Sequence, residues 1–479
     1  MSSKGRLGSA LVLLGVVQGA YGQYFWQDPL GNDAKVAPAP GTFWVQPDAA
    51  LPAIPKPAAA PAAPSTAALL TLPQLTEYAL RNNPRSRQAW LAARAAAAGV
   101  GIEQAARFPQ LTGNYVVTRN QQAAATSGAL IPWQNRLGPS ISLSYVLFDF
   151  GLRSNQIEAA EYRLLAANLT QNRVLQEVVF QVEQAYYRLI GADALVRVNE
   201  LTLRNLKTAY DAAQRRRESG LATAADVYRS ETQVAQAQLN LTRSHGDLEK
   251  ARGLLASAVG LPVNAVLRIQ TLSGPPHTSE VASSLDELLE RAKKSRPDLV
   301  AAEAQARSSR AAADAAAKAG LPSIEVSGSA GRVLFTDNRP TVSTYALGLN
   351  LRIPIFTGFR DTYTVRQAEA QAAQAEAARD SLYRQTELDV WQAYYDVQTA
   401  VSAITSTAAQ VQSAEQTSEA TLARYKAGFG SILDLITAQL DESNARVQQV
   451  QSYLDWYTAV AQLDLSVGFT DLANAGAKK

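Results

Sequence analysis

The chain has 479 residues, 47% of them hydrophobic, and its 45 basic and 42 acidic residues leave a net charge of +3. This near balance argues against a nucleic-acid partner, and the length allows a large core or several domains. There is no cysteine and there are two histidines, which excludes disulfides, thiolate zinc sites, cysteine nucleophiles and a lipid-bearing cysteine and disfavours histidine metal sites. We therefore expect no enzymatic activity, no cofactor and no bound metal.

Residues 1–22 have the pattern of a cleaved export signal. A basic start is followed by the short apolar run 7–17 and by Ala20-Tyr21-Gly22, with small residues at the −3 and −1 positions of a cleavage site. The alternative is a buried N-terminal helix. Residues 23–71 are rich in proline and alanine, a composition that favours extended backbone and predicts a tether.

The remainder of the chain contains an internal repeat. QAYYRL begins at Gln184 and QAYYDV at Gln392, which is 392 − 184 = 208 positions later. Earlier matches, such as Pro84 with Pro297, are 213 positions apart, so the second copy is a few residues shorter in its middle. The predicted segments are a first repeat at 72–262, a linker at 263–283, a second repeat at 284–469 and a C-terminal tail at 470–479.

Each repeat predicts two strands with one apolar face. Residues alternate between apolar and small or polar, as in Leu347, Gly348, Leu349 and Asn350. A period of two over about ten residues fits a transmembrane strand, and a soluble sheet that covers a core is the alternative. The predicted strands are about 110–118, 139–147, 323–331 and 342–353. The residues that we expect to face lipid are Leu143, Tyr145, Leu347 and Leu349.

A very long helix follows the strands in each repeat. From Gly151 to Glu218 there is no proline, which allows a rod of ~100 Å at 1.5 Å per residue. Apolar residues recur every seventh position in both copies and predict a coiled-coil seam. The first series includes Val182, Leu189, Val196 and Leu203, and the second includes Val390, Val397, Ile404 and Val411. We expect the repeated tyrosines, Tyr186, Tyr187, Tyr394 and Tyr395, to pack in this seam.

A glycine ends each long helix, and a second helix follows. Gly220 and Gly428 stand where left-handed cap residues are common. Thr223 and Asp226 in the first copy, like Ser431 and Asp434 in the second, have the spacing of a capping box, which restarts a helix.

Four strands cannot close into a barrel in lipid, because an open edge leaves backbone groups without partners. The chain must therefore associate with copies of itself. Two copies would give eight strands and a filled interior, whereas three would give twelve strands and a lumen.

The duplicated order of helix, strand, strand and helix resembles the TolC family of outer-membrane efflux ducts. The FPQ and LPS corners, IPIFTG and RYKAGFGSILDLITAQ carry the resemblance. It implies an α+β membrane protein, built as a duplicated helix–strand–strand–helix protomer. Three copies would form a trimeric twelve-stranded β-barrel in outer-membrane lipid, on a long α-helical coiled-coil tunnel in the periplasm.

The resemblance also implies a passive exit duct for drug or solute efflux or for type I protein secretion. Its partners would be two further copies of the chain, a periplasmic adaptor (membrane fusion) protein and an inner-membrane transporter. A periplasmic coiled-coil adaptor or scaffold protein is the alternative, and it would account for the rods but not for the strands.

The same resemblance implies that Asp434, Tyr425 and Asp226 lie at the aperture of the tunnel, with Gly220 and Gly428 in its tip turns. Gly430 stands where the family has an arginine that holds the aperture shut, unless Arg424 or Lys426 substitutes for it. Capping alone is the alternative role of the two aspartates.

Overall fold

The computed structural model describes residues 69–121, 128, 130, 133–270, 276, 284–335 and 340–468. The predicted export signal, nearly all of the tether and the C-terminal tail lie outside these residues. They therefore stay predictions.

The helices of the two repeats match one for one in length. The helix pairs have 11, 22, 67 and 36 residues in both halves. The first repeat contains α1 (Leu72–Asn82), α2 (Pro84–Ala105), β1 (Gln110–Asn120), β2 (Gln134–Phe148), α3 (Leu152–Glu218) and α4 (Ala224–Val259). The second contains α5 (Leu285–Ser295), α6 (Pro297–Lys318), β3 (Ser323–Phe335), β4 (Val342–Arg352), α7 (Arg360–Lys426) and α8 (Ile432–Val467). The offset falls from 213 at Pro84 and Pro297 to 208 at Leu152 and Arg360, so the shortening lies in the β-hairpin.

The four strands form one antiparallel sheet in the order β1-β2-β3-β4. The β2–β3 pair joins the two repeats and contains a bulge between Val146 and Phe148. Within this sheet, β1 and β4 each lack a neighbour on one side.

The predicted alternation is present in the sheet. The register aligns Leu111, Leu143, Gly328 and Leu347 in one row across the strands, and it aligns Thr112, Ser142, Ser329 and Ala346 in the next row. Successive residues of a strand point to opposite faces. One face is therefore mainly apolar and the other is mainly small and polar.

The two long helices, α3 and α7, are rods of ~100 Å. Each packs along the following shorter helix, α4 or α8. The predicted heptad positions form the core, since Val182, Leu189, Val390 and Val397 are all buried. Within the described part of the chain, no helix has the length and apolar character to cross a membrane.

The repeated tyrosines do not have equivalent environments. Tyr186 is buried, and its hydroxyl donates to the Gln270 carbonyl at 2.6 Å. Tyr187 stacks on Tyr457, whereas Tyr395 is 47% exposed. The expectation of seam packing is therefore wrong for Tyr395 within a single chain.

The two rods also differ in what covers them. Helix α3 packs against α1, α2 and α4 of its own repeat and against α6 and α8 of the other repeat. Helix α7 packs chiefly against α5, α6 and α8, which all belong to its own repeat.

The corners that open α2 and α6 use different chemistry at matching positions. The Asn83 amide donates to the Ala258 carbonyl at 2.9 Å. At the equivalent corner, Arg296 is only 3% exposed and bonds Asp298 at 2.6 Å and Asp389 at 3.0 Å. Burial raises the pKa of Asp298, but the Arg296 guanidinium outweighs it and leaves that pKa below its usual range.

Candidate functional site

The two turns that end the long rods form the candidate site. Gly220 and Gly428 have φ of 74° and 89°, a conformation that favours glycine. The Leu221 N–H donates to the Arg216 carbonyl at 2.7 Å, and the Phe429 N–H donates to the Arg424 carbonyl at 3.0 Å. The prediction that both glycines are left-handed cap residues is confirmed.

Capping boxes restart the helices after both turns. The Asp226 N–H donates to Thr223 Oγ1 at 3.3 Å, and the Thr223 N–H donates back to the Asp226 carboxylate at 3.0 Å. In the second turn the corresponding distances between Asp434 and Ser431 are 3.1 Å and 3.4 Å. The predicted capping role of both aspartates is present, and the aperture role stays a prediction.

The two aspartates differ in exposure and in charged neighbours. Asp226 is half-buried, and hydrogen bonds from Thr223 lower its pKa, with further contributions from Arg229 and Arg216. Asp434 is exposed. The first turn therefore holds a carboxylate that is partly neutralised within the chain, whereas the second presents its carboxylate to solvent.

Tyr425 lies buried between the two turns. It is 2% exposed and belongs to a cluster that includes Ala213, Val227 and Leu435, so residues of both repeats surround it. Its hydroxyl is buried and has no hydrogen-bond partner in the described part of the chain. Burial raises the pKa of this phenol.

Arg216 also joins the two turns, a role that its place among three consecutive arginines does not reveal. Its Nη1 donates to the Tyr425 carbonyl at 3.0 Å, and its guanidinium lies 4.7 Å from the centre of the tyrosine ring. Arg424 and Lys426, the substitutes considered for the family arginine, are both exposed. Arg216 sits in the run Arg215-Arg216-Arg217 at the end of α3, where basic residues also suit the helix dipole.

The sheet holds the remaining predicted site residues. Leu143, Tyr145, Leu347 and Leu349 share one face, and Leu347 and Leu349 are 83% and 70% exposed. Contact of this face with lipid stays a prediction. In the segments that the structure describes, no group of three or more histidine, aspartate or glutamate residues could hold a metal ion.

Comparison with known proteins gives a consistent result over both repeats. A family model for the outer membrane efflux protein matches residues 75–261 and 288–469. The protein CyaE of Bordetella pertussis is 28% identical over 388 residues, which are 80% of this chain and 80% of that protein. The outer membrane protein OprJ of Pseudomonas aeruginosa is 28% identical over 77% of this chain and 78% of its own length. The solved outer-membrane channel OprN superposes with a TM-score of 0.76 at 21% identity, covering 83% of this chain and 90% of that one.

Proposed function

Because the chain belongs to the outer membrane efflux protein family, an outer-membrane channel family and not an enzyme family, we propose that it forms the exit duct of a tripartite export system. The observation that carries this proposal is the joining of two elements in one chain. A sheet with one apolar face is fused to two rods of ~100 Å, about three times the thickness of a bilayer core. A sheet in the outer membrane with rods in the periplasm would provide a continuous path from the periplasm across the outer membrane.

The proposed assembly is a homotrimer in outer-membrane lipid. The unpaired edges of β1 and β4 are unsuited to hydrocarbon unless another chain covers them. Four strands from each of three copies would close a barrel of twelve strands wide enough for a lumen. In this arrangement Leu143, Tyr145, Leu347 and Leu349 face lipid.

The proposed boundaries follow the repeat. The first duct repeat is 72–262 and the second is 284–469, with a linker at 263–283 between them. The interruption of the family match between 261 and 288 supports this division.

We place the periplasmic aperture at the two tip turns. The half-buried contact of Arg216 with Tyr425 would hold the turns of one chain together. The exposed carboxylates of Asp434 would form a ring if symmetry brings three copies to one axis. Such a ring concentrates a negative field that favours cations. Widening of the aperture beyond its resting, ion-conducting state would require a periplasmic adaptor protein, and an inner-membrane transporter would supply the energy, since the duct itself is passive.

Reconstitution tests the proposed function. The purified chain, added to a planar lipid bilayer, should produce discrete conductance steps, and the unboiled protein should migrate in SDS as an oligomer that boiling dissociates. A folded chain that stays monomeric, or an oligomer that never conducts, would contradict the proposed duct.

A further inference from the structure

Two arginines lie at one end of the apolar face of the sheet. Arg119 is the penultimate residue of β1 and lies an even number of residues beyond Leu111. Arg332 of β3 lies an even number of residues beyond Gly328. Leu111 and Gly328 belong to the row of the apolar face, and alternate residues of a strand share a face. Within the described residues of the four strands, this face carries no other charged side chain.

The internal repeat places the two arginines at equivalent positions. Arg119 and Arg332 are separated by the offset of 213 that relates the early parts of the two repeats. Across each hairpin, Arg119 lies opposite Asn135 and Arg332 lies opposite Ser343. The two arginines therefore occupy the same level of equivalent hairpins, and three copies of the chain would arrange them in a ring around the outside of a barrel.

Both guanidinium groups are available to a partner outside the chain. Arg119 and Arg332 are exposed, and neither side chain forms an ion pair with another described residue. The Arg119 guanidinium lies 5.3 Å from the centre of the Trp133 ring. By contrast, Arg136 of β2 lies on the opposite face and donates to Gln134 Oε1 at 2.7 Å.

Aromatic side chains mark the level of the arginines in the membrane. Tyr115 precedes Arg119 on the same face of β1, and Tyr345 lies opposite the residue two positions before Arg332. Both tyrosines are exposed, as is Trp133, and such residues are enriched where hydrocarbon meets headgroups. The helices leave from the other end of the sheet, since β1 follows α2 and β3 follows α6. With the helices in the periplasm, the arginines lie in the outer leaflet.

We propose that Arg119 and Arg332 bind phosphate groups of lipid A, the phosphorylated glycolipid of the outer leaflet of the outer membrane. A guanidinium group suits this ligand, because it donates two parallel hydrogen bonds to one phosphate. Lipid A carries its phosphates next to its acyl chains, at the level of the arginines. The inference rests on the proposed function, because it requires the apolar face to lie in outer-membrane lipid.

The distribution of charge along the face favours an anionic lipid at this end. Near α2 and α6, the described part of the face holds Leu111, Ile324 and Leu351 and no charge. At the far end both charges are positive, and Glu325, the one acidic residue of the described strands, lies on the opposite face. A headgroup with several negative charges complements this end, whereas a neutral headgroup would give the arginines no counter-charge.

Lipid binding by the purified chain in an uncharged detergent tests the proposal. The test variant carries Arg119→Gln and Arg332→Gln. The matched control is Arg136→Gln, which removes an arginine from the same end of the opposite face. Native mass measurement counts the lipid molecules retained by the intact oligomer as lipid A is titrated. Phosphatidylglycerol and inorganic phosphate are the comparison probes.

The natural protein and the control should retain lipid A equally. Loss of one charge-assisted contact should weaken binding roughly tenfold, so each single variant should bind lipid A more weakly and the double variant more weakly still. Inorganic phosphate at the same concentration should not displace lipid A. Phosphatidylglycerol should bind more weakly than lipid A and depend less on the two arginines.

Equal retention of lipid A by the natural protein and the double variant overturns the proposal, since the arginines then only reach water at the strand ends. Displacement by inorganic phosphate would assign the site to a free anion. An equal dependence of phosphatidylglycerol binding on the arginines would assign it to anionic lipids in general. Either result overturns the choice of lipid A.

A second variant covers the case in which the double glutamine variant does not assemble. Arg119→Lys with Arg332→Lys keeps both charges, but lysine cannot form the two parallel hydrogen bonds. It should assemble and bind lipid A severalfold more weakly than the natural protein, and unchanged binding overturns the proposal.

Conductance in planar bilayers separates this inference from the proposed duct. If the double variant conducts as the natural protein does and also retains lipid A equally, the lipid site is wrong and the duct stands. A natural chain that neither oligomerises nor conducts would instead contradict the duct itself.

Discussion

The two long rods, α3 and α7, have the same length and the same heptad seam but different surroundings. Helix α3 packs against helices of both repeats, whereas α7 packs chiefly within its own. The side chains follow this difference, since Tyr187 lies in a stack and its equivalent Tyr395 is exposed. A duplicated sequence therefore does not create duplicated environments within one chain.

The largest effect should come from the corner at which the two repeats differ most in charge. Arg296→Ala would leave Asp298 and Asp389 without their buried cation, and breaking such a pair costs about 3–5 kcal/mol. Asn83→Ala at the equivalent corner removes neutral hydrogen bonds and should cost about 1–2 kcal/mol. Urea unfolding of the detergent-solubilised protein measures both. Equal losses would show that the two corners are energetically equivalent.

The next largest effect should separate the two faces of β4. Leu349→Arg places a charge on the apolar face, and such a substitution costs roughly 2–4 kcal/mol when it lies at the middle of the membrane. Asn350→Arg lies on the opposite face and should be tolerated. Heat-modifiable migration after folding into vesicles measures insertion. If both variants inserted equally well, the assignment of faces would be wrong.

A smaller effect should be a pH dependence of stability that arises from a residue of α3 and has no equivalent in α7. Burial, with the nearby Asp464 carboxylate, raises the pKa of Glu183 in α3 to about 7, while its equivalent in α7 is Trp391. A carboxyl group whose pKa is higher in the folded chain than in the unfolded chain favours folding while it is protonated. Its contribution to stability is complete below the pKa of the unfolded chain and is lost as pH rises through about 7.

Glu183→Gln should therefore leave stability unchanged near pH 4 and raise it by roughly 1–2 kcal/mol near pH 8. Unfolding by urea at both values of pH gives the comparison. The natural protein, unfolded at the same two values of pH, is the control. A stability gain for Glu183→Gln that is the same at both pH values would exclude titration of Glu183 in this range.

The smallest effect on stability should come from the tip turns. Asn caps helices about as well as Asp does, so Asp434→Asn should change the free energy of unfolding by less than about 0.5 kcal/mol. It should nonetheless lower cation selectivity and weaken block by a trivalent cation in planar bilayers, because the charge is lost. Asp226→Asn is the matched control and should alter selectivity less. If both variants conduct as the natural protein does, the two aspartates are caps and not a gate.

The sequence predicted the elements well because their periodic patterns are long. The first rod was expected from Gly151 to Glu218 and is observed as Leu152–Glu218. The predicted strand 323–331 is longer in the structure, reaching Phe335. The left-handed glycines and both capping boxes also depend on a few neighbouring residues, so local spacing was sufficient to find them.

Contacts between distant segments could not be predicted in the same way. Arg216 is one of three consecutive arginines, and only the packing of the two turns selects it as the residue that contacts Tyr425. The heptad pattern likewise assigned Tyr395 to the seam face but could not show that the described helices of the chain leave it half exposed. In both cases the missing information lies in the position of another element, which periodicity within one helix does not contain.

The equal lengths of the paired helices constrain how such a protein can change. One residue inserted into α3 alone would advance the rod by about 1.5 Å and rotate the following side chains by about 100°, which would disrupt its contacts with neighbouring helices of both repeats. A whole heptad would preserve the rotation, yet it would leave α3 longer than the 67 residues of α7, so the tip turns would separate. The tunnel can therefore lengthen only through coordinated insertions in both rods and both return helices, whereas the β-hairpins already differ in length between the repeats and can vary one at a time.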